Sequence, residues 1–124
     1  MSNNRLVVII EDDAVLRLQA AELFDLAGLP AQTFETGEDA IAFVRANEGD
    51  VACIFTDLKL GGDADGLDVV RIVSGTLPRV PVVMTSGMVQ HRPEGLPDHI
   101  RFVAKPWQPS DVIDAARQAD RGAP

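Results

Sequence analysis

Acidic, hydroxyl and basic side chains follow the apolar runs of this sequence at the points where those runs end. They are Glu11, Asp12 and Asp13 after the first run, and Asp57, Ser86 and Lys105 after later ones. Gathered carboxylates repel one another unless a cation offsets their charge, and oxygen-only ligands favour a hard ion such as Mg²⁺. Lysine supplies a compact positive charge, and serine supplies a hydrogen-bond donor. These groups suit phosphoryl transfer to a carboxylate, which depends mainly on positioning and charge neutralisation.

These side chains can meet only if the apolar runs are strands that end at one edge of a sheet. Runs of strand length are Leu6–Ile10, Val51–Phe55 and Val80–Met84, and weaker candidates are Ala31–Phe34 and Arg101–Ala104. The three main runs are continuous rather than alternating. Such runs are typical of strands covered on both faces of a parallel sheet.

Helical patterns alternate with these strand candidates. The predicted helices are Ala14–Ala27, Glu38–Ala46, Leu67–Val73 and Ser110–Ala119. In the first, apolar residues recur mostly at three- and four-residue intervals, at Val15, Leu18, Leu23 and Leu26. Asp13 is suited to cap the start of that helix, and Gly28 stands just past its end.

The alternation of strands and helices predicts an α/β fold, a doubly wound five-stranded parallel sheet in the order 2-1-3-4-5. The first and third strands are then neighbours, and their carboxyl ends flank the crevice where such folds bind ligands. We therefore expect the polar residues at the strand ends to converge. Between the fourth and fifth strands, Pro93, Gly95 and Pro97 disfavour a helix interior, so the fourth helix should be shortened or absent.

Length and charge restrict the classes of function. A chain of 124 residues with 46% hydrophobic residues fits one domain, with a core at about 5–119 and a disordered tail at 120–124. A net charge of −8 argues against direct binding of nucleic acid. The single cysteine, Cys53, is interpreted as a small buried hydrophobe. No apolar run approaches the ~20 residues of a membrane span, so a cytoplasmic protein is expected.

Four segments, in order, resemble the sequence marks of CheY-like response-regulator receiver domains. They are Val7–Asp13, Ile54–Leu60, Pro81–Gly87 and Phe102–Trp107, within a resemblance that spans residues 6–119. The resemblance implies a flavodoxin/CheY-like fold and a single-domain response regulator of two-component signalling. It also implies a phosphoprotein that modifies only its own aspartate, rather than an enzyme acting on other substrates.

The resemblance assigns the acidic residues to a phosphoacceptor and Mg²⁺ site. Asp57 is the phosphoacceptor and also a metal ligand. Asp12 is a direct ligand, whereas Glu11 acts mainly through a coordinated water. The backbone carbonyl of Lys59 is the third protein ligand.

The resemblance implies that the other matching residues respond to the phosphoryl group. Lys105 is the family lysine, which contacts a carboxylate or a phosphoryl oxygen. Ser86 occupies the hydroxyl position because it directly precedes the small residue Gly87, although Thr85 stays an alternative. Phe102 occupies the aromatic switch position, and because it has no hydroxyl its inward movement would depend on packing alone.

The resemblance also implies the classes of partner. A histidine kinase or histidine phosphotransfer protein would phosphorylate Asp57. We expect no output domain after residue 124, so that the signal would reach a separate effector protein, or the phosphoryl group would pass onward in a relay or sink. Receiver domains can dimerise through the fourth helix, but we do not infer that dimer for this chain, because its fourth helix is expected to be irregular. We expect a monomer or a weak homodimer.

Two other functions compete with a receiver. A small Mg²⁺-dependent phosphohydrolase of the haloacid-dehalogenase type needs an acid two residues after its nucleophile, where this chain has Lys59. A pseudo-receiver that binds partners without phosphorylation is disfavoured because every residue of the expected site is present. The sequence identifies neither the kinase nor the effector.

Overall fold

A parallel five-stranded sheet forms the centre of the protein in a computed structural model, which describes residues 5–58, 65–77, 80–86, 94–97, 100–104 and 109–122. The strands are β1 (Leu6–Ile10), β2 (Ala31–Phe34), β3 (Val51–Asp57), β4 (Val82–Ser86) and β5 (Arg101–Ala104). Their order is β2-β1-β3-β4-β5, with every neighbouring pair parallel. The predicted fold class and strand order are therefore confirmed. β3 and β4 extend past their predicted ends, to Asp57 and Ser86.

Helices connect the strands and lie on both sides of the sheet. They are α1 (Ala14–Leu26), α2 (Gly37–Ala46), α3 (Gly66–Thr76) and α4 (Pro109–Gly122), with a 3₁₀ turn at Glu48–Asp50. No helix occurs between β4 and β5 in the described residues 94–97 and 100, which agrees with the expected shortening of the fourth helix. The last helix continues past its predicted end at Ala119 to Gly122, into the segment expected to be disordered.

Side chains alternate across the sheet and form two cores. The α2/α3 face contains Val8, Ile10, Val44, Val70 and Met84. The α1/α4 face contains Val7, Ile9, Phe24, Phe55 and Val112. Cys53 is also fully buried in the second core, as expected for a small hydrophobe. Successive strand residues point to opposite faces, so a residue's position along its strand decides which core it joins.

Helix α1 begins at Ala14 as predicted and ends at Leu26, one residue before the predicted end, but it buries a different face. The Asp13 carboxylate accepts hydrogen bonds from the backbone N–H groups of Val15 and Leu16 at 2.9 and 3.0 Å. Gly28 follows the helix with a φ of 81°, a left-handed conformation that favours glycine. The sheet is covered by Ala20 and Phe24. Of the apolar repeat noted above, Val15, Leu18 and Leu26 are 63%, 70% and 83% exposed.

Candidate functional site

Three carboxylates from two strand ends meet at one edge of the sheet. Oxygen atoms of Glu11, Asp12 and Asp57 all lie within 4.8 Å of one another. Glu11 is buried, Asp57 is partly buried and Asp12 is exposed. The cluster therefore runs from the protein interior to solvent, and the predicted convergence of the first and third strands is observed for these residues.

Glu11 is held in place by its backbone and by its side chain. Its N–H donates to the Phe34 carbonyl at 3.1 Å, and its own carbonyl accepts from Nη1 of Arg17 at 2.8 Å. Oε2 of Glu11 accepts from the backbone N–H of Asp13 at 3.1 Å. These contacts fix the buried carboxylate beside the start of α1. Arg17 was not singled out in the sequence, since its contact depends on how α1 returns to the end of β1.

Asp57 is the last residue of β3, and its carboxylate is oriented by the next peptide. The backbone N–H of Leu58 lies 2.8 Å from Oδ1 of Asp57 and 2.8 Å from the carbonyl oxygen of Thr85. One N–H group therefore connects the Asp57 carboxylate to β4. The hydroxyl of Thr56 donates to the Asp57 carbonyl at 3.0 Å.

The start of α3 lies directly against the end of β3. The N–H of Gly66 donates to the Leu58 carbonyl at 2.9 Å. A Cβ atom on Gly66 would lie 2.3 Å from the carbonyl oxygen of Asp57, closer than any side-chain atom can approach. Glycine is thus required here by the closeness of two backbones. The predicted helix began at Leu67, and the role of Gly66 was missed.

A capping box begins α3 beside the site. The carboxylate of Asp65 accepts from the Asp68 N–H, and that of Asp68 accepts from the Asp65 N–H, both at 3.1 Å. Arg71 also pairs with the Asp68 carboxylate. The Asp65 N–H and, second to it, the Arg71 guanidinium hold the pKa of Asp68 below its ordinary value. The acidic pair three residues apart is the sequence signal that could have located this helix start.

The predicted switch residues occupy the ends of β4 and β5. Ser86 is the last residue of β4, is 1% exposed and pairs in register with Ala104. Phe102 pairs with Met84 and is partly buried against the α2/α3 face. Thr85, the alternative hydroxyl, is also 1% exposed.

Two predicted site residues lie outside the described residues. They are Lys59, assigned a metal-binding backbone carbonyl, and Lys105, assigned to the phosphoryl group. Their roles stay predictions. Ala104, the residue before Lys105, is described and ends β5 beside Ser86.

The carboxylate cluster could hold a metal ion. Its donors are all oxygen, and one of its carboxylates is exposed, so water can complete the coordination. Hard divalent cations prefer such a donor set, and Mg²⁺ in particular keeps several waters when bound. The residues present therefore fit the ion that the sequence suggested.

Comparison with known proteins identifies the class. The family of response regulator receiver domains matches residues 7–117, and the chain belongs to this family. Receiver domains are signalling switches of two-component systems that interact with histidine kinases and effector domains. A curated relative is the C4-dicarboxylate transport transcriptional regulatory protein DctD of Rhizobium meliloti (strain 1021), 28% identical over 120 residues. That match covers 92% of this chain, which spans a quarter of DctD's length.

Solved structures share the fold. A response regulator receiver protein from Sinorhizobium medicae WSM419 superposes with a TM-score of 0.83 at 23% identity, over 97% of each chain. The receiver domain of the Francisella response regulator 1452 gives a TM-score of 0.84 at 19% identity, over 95% of this chain and 98% of that one. These similarities establish a CheY-like architecture. None of the helices in the described ranges has the length and apolar character to cross a bilayer.

Proposed function

We propose that this chain is a phosphoacceptor switch in which Asp57 receives a phosphoryl group from a histidine kinase or histidine phosphotransfer protein. The observation that carries the proposal is the position of the Asp57 carboxylate, at the end of β3 and within 4.8 Å of Glu11 and Asp12 oxygens. A strand-end aspartate needs no such neighbours for folding. Membership of the receiver family supports the same role.

The reaction requires only positioning and neutralisation of charge. One carboxylate oxygen of Asp57 attacks phosphorus, the P–N bond of the donor phosphohistidine breaks, and the imidazole leaves with the electron pair and takes up a proton. The hydrogen bond from Leu58 to Oδ1 fixes the orientation of the attacking carboxylate. Attack by water on phosphorus later breaks the P–O bond and restores the carboxylate.

The acidic residues are proposed to act as ligands of Mg²⁺. Glu11, Asp12 and Asp57, together with the backbone carbonyl of Lys59, would hold the ion. When bound, it supplies positive charge that offsets the carboxylates and the phosphoryl oxygens. Glu11, fixed by Asp13 and Arg17, presents its carboxylate without the entropic cost of ordering a mobile side chain.

The exposed apolar residues of α1 are suited to receive the phosphodonor. Val15 and Leu18 follow the carboxylate cluster within the first turns of α1 and are 63% and 70% exposed. Burying such side chains against a partner is favourable. A donor protein seated there would place its phosphohistidine next to Asp12 and Asp57, which a docking surface at the far end of α1 would not do.

We propose that the conformational change caused by phosphorylation is transmitted through β4 and β5. A phosphoryl group on Asp57 adds negative charge beside the end of β4, and the Ser86 hydroxyl would move towards it. Ser86 pairs with β5, in which Phe102 packs against Met84 and the α2/α3 face. The population of Phe102 conformers would then shift, changing the surface offered to a separate effector protein.

The direct test is phosphorylation by a small donor. We expect the wild-type chain, incubated with Mg²⁺ and acetyl phosphate, to gain the mass of one phosphoryl group, and Asp57→Asn to gain none. Asp50→Asn is the matched control, because Asp50 is exposed and lies at the opposite end of β3. It should be labelled like the wild type.

Each other outcome has a distinct meaning. An unlabelled wild type, under conditions that label another receiver, would contradict phosphoacceptor function and favour a pseudo-receiver. Labelling that persists in Asp57→Asn would contradict the assignment of the residue. Sustained turnover of a small phosphate ester would favour the phosphohydrolase instead.

A further inference from the structure

A second buried hydroxyl, that of Thr85, lies beside the candidate site. Thr85 is 1% exposed, and its Oγ1 has no hydrogen-bond partner in the part of the chain that the structure describes. A buried hydroxyl without a partner destabilises a fold, whereas valine would fill the same volume without that cost. Val82, Val83 and Met84 precede it in β4, so an apolar residue would suit the strand.

The register of the sheet places this hydroxyl on the same side as the phosphoacceptor. Thr85 is the register partner of Asp57 on the adjacent parallel strand, at a strand spacing of about 4.8 Å. Val83 and Phe55, each two positions earlier, pair with each other and belong to the α1/α4 core. By alternation, the side chains of Thr85 and Asp57 both leave the sheet towards α1 and α4.

Ser86 approaches the site from a different direction. It follows Thr85 directly, so its side chain leaves β4 on the side of Met84, which belongs to the α2/α3 core. The backbone of Thr85 is also coupled to the acceptor, since the Leu58 N–H contacts both the Thr85 carbonyl and the Asp57 carboxylate at 2.8 Å. The two hydroxyls are therefore not interchangeable.

We propose that Thr85 is a further phosphoryl-binding residue of the phosphoacceptor site, whose hydroxyl gains its hydrogen-bond partner when Asp57 carries a phosphoryl group. The Thr85 Oγ1 donates to an oxygen of the aspartyl phosphate, directly or through one ordered water. The inference rests on the proposed phosphorylation of Asp57. A donor that is unpartnered in the resting chain and partnered in the phosphorylated chain favours the second state, because the hydrogen bond contributes to that state alone.

The test measures binding of beryllofluoride, a tetrahedral mimic of a phosphoryl group, to the full chain in the presence of Mg²⁺. Thr85→Val should weaken this binding about three- to tenfold, the usual net contribution of one hydrogen bond. Its free energy of unfolding without beryllofluoride should be no lower than that of the wild type. Thr85→Ser, which keeps the hydroxyl and loses the methyl group, should restore the affinity.

Ser74→Ala is the matched control. Ser74 Oγ, in α3, is also buried and unpartnered among the described residues, so its removal should leave the beryllofluoride affinity unchanged. Equal affinities of wild type and Thr85→Val would overturn the proposal, as would an equal loss in Thr85→Val and Thr85→Ser. If the wild type binds no beryllofluoride and accepts no phosphoryl group, the proposed function itself fails and this inference fails with it.

Discussion

Gly66 and Asp57 are in contact through their backbones, and this contact joins the start of α3 to the phosphoacceptor. A Cβ atom on Gly66 would stand 2.3 Å from the Asp57 carbonyl oxygen and 2.8 Å from Cα of Leu58. Neither obstacle is a flexible side chain that could move aside. The position of Asp57 therefore depends on a residue with no chemistry of its own.

Substitution of Gly66 should disturb both the fold and the site. Gly66→Ala must push α3 away from β3, and overpacking of this kind costs about 1–3 kcal/mol in the free energy of unfolding. We also expect slower labelling of Asp57 by acetyl phosphate, because the displaced backbone carries the acceptor. Denaturant unfolding and intact mass measure the two effects.

Gly75 provides a control in the same helix. A Cβ atom there meets nothing within 4 Å, and alanine is the better helix former by up to about 1 kcal/mol. Gly75→Ala should thus be as stable as the wild type or more so, with normal labelling. If Gly66→Ala matched Gly75→Ala in both measurements, the backbone contact between Gly66 and Asp57 would not restrict the residue at position 66.

The acidic run after β1 should separate into a metal ligand and a helix cap. Asp12→Asn removes a charge from the carboxylate cluster and should lower Mg²⁺ affinity at least about tenfold, measured by titration calorimetry. Asp13→Asn is the control, because Asp13 caps α1 through Val15 and Leu16 and asparagine caps equally well. If Asp13→Asn lowered the Mg²⁺ affinity as much as Asp12→Asn does, Mg²⁺ would be bound only through overall charge.

Strands β1, β3 and β4 were predictable because each one contains a run of apolar residues that are neighbours in the sequence. A run such as Val51–Phe55 is continuous and apolar, and Asp57 follows two residues after it, so both the buried strand and the polar residue near its end could be inferred. The convergence of Glu11, Asp12 and Asp57 then followed from the parallel order of the strands, which places carboxyl ends at one edge.

Features that depend on how elements dock could not be predicted in the same way. Helix α1 has apolar residues on more than one side, and spacing alone does not decide whether Phe24 or Leu18 faces the sheet. Gly66 looked like a loop residue, since its close approach to Asp57 exists only after α3 packs on β3. The unpartnered hydroxyl of Thr85 likewise depends on neighbours that are distant in sequence.

The pKa of Asp68, at the start of α3, should lie below its ordinary value. Hydrogen bonds from the Asp65 N–H and then Arg71 favour the charged carboxylate, so the pKa of Asp68 lies below its ordinary value of 3.8. Because the folded pKa is the lower one, this carboxylate's contribution to stability is fully present above the unfolded pKa and is lost as pH falls through the folded pKa.

NMR titration of the side-chain carboxyl carbon measures this effect directly. We expect a midpoint below 3.8 for Asp68 in the wild type. In Arg71→Gln the midpoint should rise but stay below that of an unstructured aspartate, because the larger contribution, from the Asp65 backbone, is unchanged. A wild-type midpoint at or above the ordinary value would mean that the capping box does not form in solution.

Docking of the phosphodonor should depend on the start of α1 and not on its end. Leu18→Glu places a charge in the apolar surface beside the carboxylate cluster, and it should slow transfer from a phosphorylated histidine donor at least about tenfold. Labelling by acetyl phosphate, which needs no docking surface, should be unchanged. Leu26→Glu is the control, since Leu26 is 83% exposed but lies about 12 Å further along the helix. Equal rates of transfer to the Leu18 and Leu26 variants would place the donor elsewhere on the chain.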